Sequence, residues 1–256
     1  MARTILHILN SLLDLVVIAA LLLSGSYAAY ALWDNQQVYS AAEQVRTELL
    51  KLKPEEEAPD GESFARLQEI NPDVCAWLSL EHTKIDYPVV QGSDNLSYLN
   101  RDVYGRFALS GSIYLDARNG RDFSDGYSLL YGHHMEQHKM FGDLDLYRDE
   151  AFFTDEPTGT LILPQGCCDL HIFAVLLVSA SEQRIFEPGQ TELHELLDFV
   201  SRQALHLDSE IMEEIASAEG PRILALSTCA GEFTDARTVV LAWMERCTES
   251  KEEEQR

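Results

Sequence analysis

The residues best suited to chemistry lie near the C-terminus. There Leu226-Ser227-Thr228-Cys229 closes a strand-like apolar run (223–227), and Arg237 opens the next one (238–244). The loop at 230–236 is short enough to make the two runs a hairpin. A thiol and a guanidinium then stand at facing ends of neighbouring strands. A permanent cation beside a cysteine lowers the thiol pKa and can bind an oxyanion, two requirements of cysteine acyl transfer. The chemistry also needs a general base. His133, in Tyr131-Gly132-His133 after the apolar run 128–131, is the best candidate. His134 is its rival, because adjacent residues after a strand point in different directions. The bland alternatives are a buried core thiol at Cys229 and a surface ion pair of Arg237 with Glu232 or Asp235.

Two other chemistries compete. His134 and His138 have the i, i+4 spacing that binds zinc on one helical face, with Glu136 between them and His133 adjacent. The order is wrong for the usual metallopeptidase motif, in which glutamate directly follows the first histidine, and no third ligand stands at a recognisable spacing. The remaining reading is a membrane-anchored binding module in which the thiol is incidental. Nothing in the sequence calls for a cofactor.

The elements that must position these residues are mostly strands. From Ile85 onward the apolar runs are short and rich in valine, isoleucine, tyrosine and phenylalanine: 85–90, 112–115, 128–131, 160–163, 171–178, 223–227 and 238–244. Seven or eight such runs predict a mainly β fold, a closed or nearly closed barrel, which removes most exposed strand edges. One long helix interrupts the series at about 191–206, where Leu193, Leu196, Leu197, Val200 and Leu205 fall near helical spacing. Residues 38–53 read as an amphipathic helix, 54–61 as an acidic, proline-containing linker, and 63–70 as a short helix capped by Ser63.

The N-terminus is different. Residues 15–33 carry no charge and would span about 28 Å as a helix, close to the roughly 30 Å of bilayer hydrocarbon. A cleaved signal peptide, with an apolar region at 15–23 and Ala29-Tyr30-Ala31 as its small-residue site, is the alternative. Retention as a transmembrane helix is favoured because the uncharged stretch runs on to Trp33 and because Tyr27 and Tyr30 are bulky. Arg3 precedes the span while Arg46, Lys51 and Lys53 follow it, so basic residues do not decide its orientation. The formal net charge of −24 argues against nucleic acid as a partner. Much of that charge sits in Glu55-Glu56-Glu57 and in residues 249–254, which read as solvated segments. Five cysteines, Cys75, Cys167, Cys168, Cys229 and Cys247, are too few and too oddly numbered for a disulfide framework.

The strand end at Cys229, with Arg237 after it and His133 upstream, resembles the sortase family, the cysteine transpeptidases of Gram-positive cell surfaces. Ala225 stands where that family's signature usually has a threonine, whereas Leu226, Thr228 and Cys229 match. The likeness extends over about residues 69–244: Ile70-Asn71-Pro72-Asp73 with Trp77, Ile85-Asp86-Tyr87-Pro88-Val89-Val90-Gln91, Asp94-Asn95 with Tyr98-Leu99, and Gly111-Ser112-Ile113-Tyr114-Leu115-Asp116. Tyr131-Gly132-His133-His134-Met135, Met140-Phe141-Gly142-Asp143-Leu144 and Glu232-Phe233 complete it, and together they resemble class B sortases in particular.

The resemblance implies a sortase-type barrel with N-terminal helices and an inserted helix. It assigns catalysis to Cys229, His133 and Arg237, with Leu226, Ser227, Thr228 and Glu232 as substrate-binding residues and residues 177–192 shaping the groove. It implies secreted protein substrates with a C-terminal sorting signal, NPxTN-like or xPxTG-like, and a peptidoglycan or pilin amine as acceptor. No cofactor or metal is expected. The membrane is the remaining partner, with the catalytic domain outside it. The domains expected are a cytoplasmic tip and anchor (1–34), a helical segment with linker (35–68), the barrel (69–247) and an acidic disordered tail (248–256).

Overall fold

Short runs of β-branched and aromatic residues cannot each bury two faces alone, and here they close on one another. The structure is a computed structural model that describes residues 2–55, 61–155, 157–229 and 236–246. Helices α1 (Ala2–Leu50) and α2 (Gly61–Ile70) precede strands β1 (Val74–Leu80), β2 (Asp86–Val90), β3 (Ile113–Leu115), β4 (Tyr127–Met135) and β5 (Lys139–Met140). A 3-10 helix (Gly142–Arg148) and α3 (Glu150–Asp155) lead to β6 (Thr158–Leu163) and β7 (Gly166–Ser179). A long crossover holds α4 (Gln183–Phe186), α5 (Leu193–Gln203), β8 (His206–Leu207) and α6 (Ser209–Ser217), before β9 (Ile223–Cys229) and β10 (Ala236–Arg246) complete the fold.

Strand order runs β10-β9-β4-β3-β2-β1-β6-β7, and β7 pairs back onto β10, so eight strands form a closed barrel. β2–β3 and β4–β9 are parallel, and the other ring pairs are antiparallel. Alternation along the strands separates two faces. Leu224, Leu226, Val240 and Ala242 fill the interior with Leu130, Leu78 and Ile172. Ile223, Ala225, Val239 and Leu241 face outward with Leu129, beneath Ile185 of α4, Leu196 and Val200 of α5 and Ile215 of α6. A third cluster packs Leu49 of α1 and Phe64 and Leu67 of α2 against Trp77, Val90, Tyr114 and Ile162.

Three expectations change. β1 was not among the predicted runs because Val-Cys-Ala-Trp-Leu does not alternate: Cys75 and Leu78 enter the barrel while Val74 and Trp77 are covered by the helical cluster. The crossover holds three helices where the sequence suggested one long one. α5 stops at Ala204, whose ψ of 137° is extended, and Leu205 N–H then donates to Val175 O at 2.7 Å as the chain drops into β8. α6 restarts from Asp208, whose carboxylate accepts from the N–H groups of Glu210 and Ile211. Finally, 38–53 is not a separate helix. Nothing in Asp34-Asn35-Gln36-Gln37 breaks a helix, and α1 runs unbroken to Leu50.

By packing, the chain divides at Ala41/Ala42. In the first unit the apolar side chains of α1 are bare, with Leu15 and Leu22 each 67% exposed and Trp33 59%. This is one helix long and apolar enough to cross a membrane.

Cys75 and Cys168 are buried free thiols, and burial pushes Cys75 up to about 12, which makes it inert. Cys167 is disulfide-bonded. Its partner is not Cys229: through the pairs Ser227↔Val239↔Leu176 the two cysteines stand at opposite ends of the barrel wall, separated by about 30 Å of strand, where a disulfide tolerates ~7 Å. Cys247 lies outside the described residues.

Candidate active site

Because β4 and β9 are parallel and adjacent, their C-terminal ends emerge together. Their register pairs Gly132 with Thr228 and, as the last pair, His133 with Cys229. Two residues placed by sequence 96 positions apart are thereby direct cross-strand neighbours in the backbone. β10 returns beside β9 in antiparallel register, with Val239 opposite Ser227, so Arg237, the second residue of β10, stands at the strand end beside the one that Cys229 closes. The side chain of Cys229, and Glu232, lie outside the described residues.

His133 is fixed by backbone. Its Nε2 lies 2.7 Å from Leu99 O, and a carbonyl only accepts, so Nε2 carries the proton and Nδ1 is left for proton exchange. Leu99 is held in turn through its neighbour Tyr98, whose hydroxyl donates to Asp73 and accepts from Asn71 Nδ2 at 2.7 and 2.8 Å. Burial first, and the Asp73 hydrogen bond second, push Tyr98 up to about 12 and keep it a donor. Gly111 completes the seat. Its φ is +59°, and a Cβ there would come 2.4 Å from Leu99 O and 3.1 Å from the His133 ring. Sequence reasoning missed Leu99 and Gly111 as site residues, since a backbone carbonyl and an absent side chain carry no chemical signature.

Arg237 is half-buried, and its Nη1 donates to Thr228 O at 3.2 Å. Among the described residues its buried Nε has no hydrogen-bond partner, which leaves the guanidinium with donors to offer. Leu226 and Ser227 are fully buried, Leu226 inside the barrel, and Thr228 is 6% exposed. The strand end is therefore a floor, with its core residues setting where the last positions emerge.

The crossover is tied to this face. Tyr127 donates to Ile185 O, Tyr131 stacks on Phe186 at 6.4 Å, and Arg118 reaches both Phe186 O and Glu187. Arg118 is held from behind by Asp116. Burial acts most strongly on that carboxyl and would raise its pKa, but the hydrogen bonds from Arg118, Asn95 and Tyr131 outweigh it and hold Asp116 ionised below the usual range.

The three histidines considered for a metal diverge. β4 and β5 form a hairpin, not a helix, with His134 opposite Met140. His134 binds Asp145 at 2.8 Å, His138 binds Asp143 at 2.5 Å, and His133 binds Leu99 O. No cluster of three potential ligands occurs among the described residues.

A closed mixed barrel with a crossover inserted before a cysteine-bearing strand is the architecture of the class B sortases. A class B sortase of Streptococcus pyogenes involved in pilus biogenesis superposes with a TM-score of 0.64 at 36% identity, covering 71% of this chain and 97% of that one. Sortase B of Clostridium perfringens, in a mutant form carrying serine in place of a cysteine, gives a TM-score of 0.64 at 29% identity over 80% of this chain and 97% of its own. In sequence, sortase B of Listeria monocytogenes is 32% identical over 229 residues, 88% of this chain and 91% of the relative. No family profile matches the chain. The chain belongs to the class B sortase family, whose members are cysteine transpeptidases.

Proposed function

We propose that this chain is a membrane-anchored transpeptidase in which Cys229, His133 and Arg237 carry the reaction. The observation that supports it most is the strand register that sets His133 opposite Cys229, with Arg237 in the first residues of the next strand. Cys229 passes its thiol proton to His133 Nδ1, and the resulting thiolate attacks the carbonyl of a residue, expected to be threonine, in a sorting motif near the C-terminus of a secreted protein. The carbonyl π pair moves to oxygen, and the Arg237 guanidinium stabilises that oxyanion. As the tetrahedral adduct collapses, His133 Nδ1 protonates the leaving amine and a thioester remains. An incoming amine of peptidoglycan or a pilin gives its proton to His133, attacks the thioester, and expels the thiolate.

Thr228 contributes its carbonyl, which orients Arg237, while Leu226 and Ser227 support the floor. Glu232 remains assigned to substrate contact, as does the segment bearing α4. The apolar part of α1 serves as the single-pass anchor, with the barrel on the extracellular side.

The test uses the full chain in detergent micelles, a library of quenched fluorescent peptides with NPxTN-like and xPxTG-like motifs, and hydroxylamine as acceptor. Cleavage with transfer to hydroxylamine, lost in Cys229→Ala, is the expected result. A folded, alkylatable wild type that cleaves nothing would favour the binding module.

A further inference from the structure

We infer that Asp145 is a positioning residue that sets the separation of His133 and Arg237 across the nucleophile strand. Asp145 belongs to the 3-10 helix Gly142–Arg148, which packs against β4, β9 and β10. One of its carboxylate oxygens meets His134 Nε2 at 2.8 Å, and the other accepts from the Thr238 hydroxyl at 2.8 Å. His134 directly follows His133 on β4, and Thr238 directly follows Arg237 on β10.

These two strands are not neighbours. β9 lies between them, so they run about 10 Å apart, two strand spacings. One carboxylate thus ties the strand of the proposed acid–base group to the strand of the proposed oxyanion group, across the strand that ends at Cys229. β7 pairs with β10 through Arg237↔Val178, but on the β9 side the ladder among the described residues ends at Val239↔Ser227, so the carboxylate adds a link toward β4 where the β9–β10 ladder has stopped. Thr238 is 6% exposed and shares its strand parity with the interior residues Val240 and Ala242, so the clamp works from the barrel's inner side. Asp145 acts through its neighbours and does not touch substrate. Catalytic groups displaced by about 1 Å lose up to ~10²-fold in rate, which is the scale at which such a tie matters.

The inference rests on the transpeptidase reading. Its test compares wild type, Asp145→Ala, Asp145→Asn and Thr238→Val, as full chains in detergent micelles, on the cleaved peptide with hydroxylamine. Asp145→Ala is expected to lower kcat about 10-fold or more with KM within about twofold. Asp145→Asn keeps an acceptor for Thr238 and an amide that donates to the neutral His134 ring, and should restore most of kcat. Thr238→Val, which removes one arm, should fall between wild type and Asp145→Ala. Wild-type kcat in Asp145→Ala, a loss confined to KM, or no recovery in Asp145→Asn overturns the positioning role while leaving the transpeptidase intact. Absence of Cys229-dependent cleavage in the wild type overturns both.

Discussion

Gly111 has no side chain, yet it decides where the His133 ring sits. The Leu99 carbonyl that receives His133 Nε2 occupies space that any Cβ at position 111 would claim, and the φ of +59° adds strain for every other residue. Gly111→Ala is therefore expected to displace that carbonyl and free the imidazole. Turnover of the sorting peptide should fall by about 10- to 100-fold while Cys229 remains alkylatable, as measured by steady-state kinetics beside thiol labelling. Unchanged turnover would mean that the Leu99 contact does not orient the proposed base. Cysteine, histidine and arginine were legible in the sequence because their side chains advertise their chemistry. The carbonyl and the glycine were not, because their contribution is a position in space.

Among the elements, the β4–β5 hairpin and the 3-10 helix are joined by a pair whose strength depends on pH. The hydrogen bond and charge of Asp145 raise His134 above its ordinary 6.5, and His134 lowers Asp145 below its ordinary 3.8. The raised histidine contributes stability in full below about 6.5 and loses it as pH rises through the folded value. The lowered carboxyl contributes above about 3.8 and loses it as pH falls through the folded value. The pair is thus strongest between those limits. Both side chains are more than a third exposed, so solvent screening holds the contribution below about 1 kcal/mol. Denaturant melts of wild type and His134→Gln should differ at pH 5.5 and converge by pH 9; a constant difference would show that packing, not charge, is responsible. Helix α6 illustrates what the sequence does offer at this scale. Asp208 followed by Ile211, Met212 and Ile215 is a cap and an apolar stripe, readable once the end of α5 is recognised. β1 offers no comparable sign, since a strand buried on both faces loses the alternation that reveals strands.

For the whole molecule, two outcomes test the assignment of membrane anchor and reactive thiol. The full chain is expected to stay with the membrane fraction after carbonate washing, and a chain lacking residues 2–34 to be released; retention of the truncated chain would place the anchor elsewhere. Peptide mapping without reductant should find Cys167 in a disulfide and Cys229 available to iodoacetamide, whereas a disulfide at Cys229 would remove the nucleophile from the proposal. By itself, the sequence determined the class of fold, the apolar N-terminal helix and the candidate groups at Cys229, His133 and Arg237, because hydrophobic period, charge and functional-group chemistry are local properties. Which residues meet was decided only in three dimensions. A parallel β4–β9 pairing brings His133 to Cys229 from 96 positions away, and barrel closure through β7–β10 holds Arg237 beside them. Register and closure depend on how all eight strands bury their apolar faces together, and no single segment encodes that.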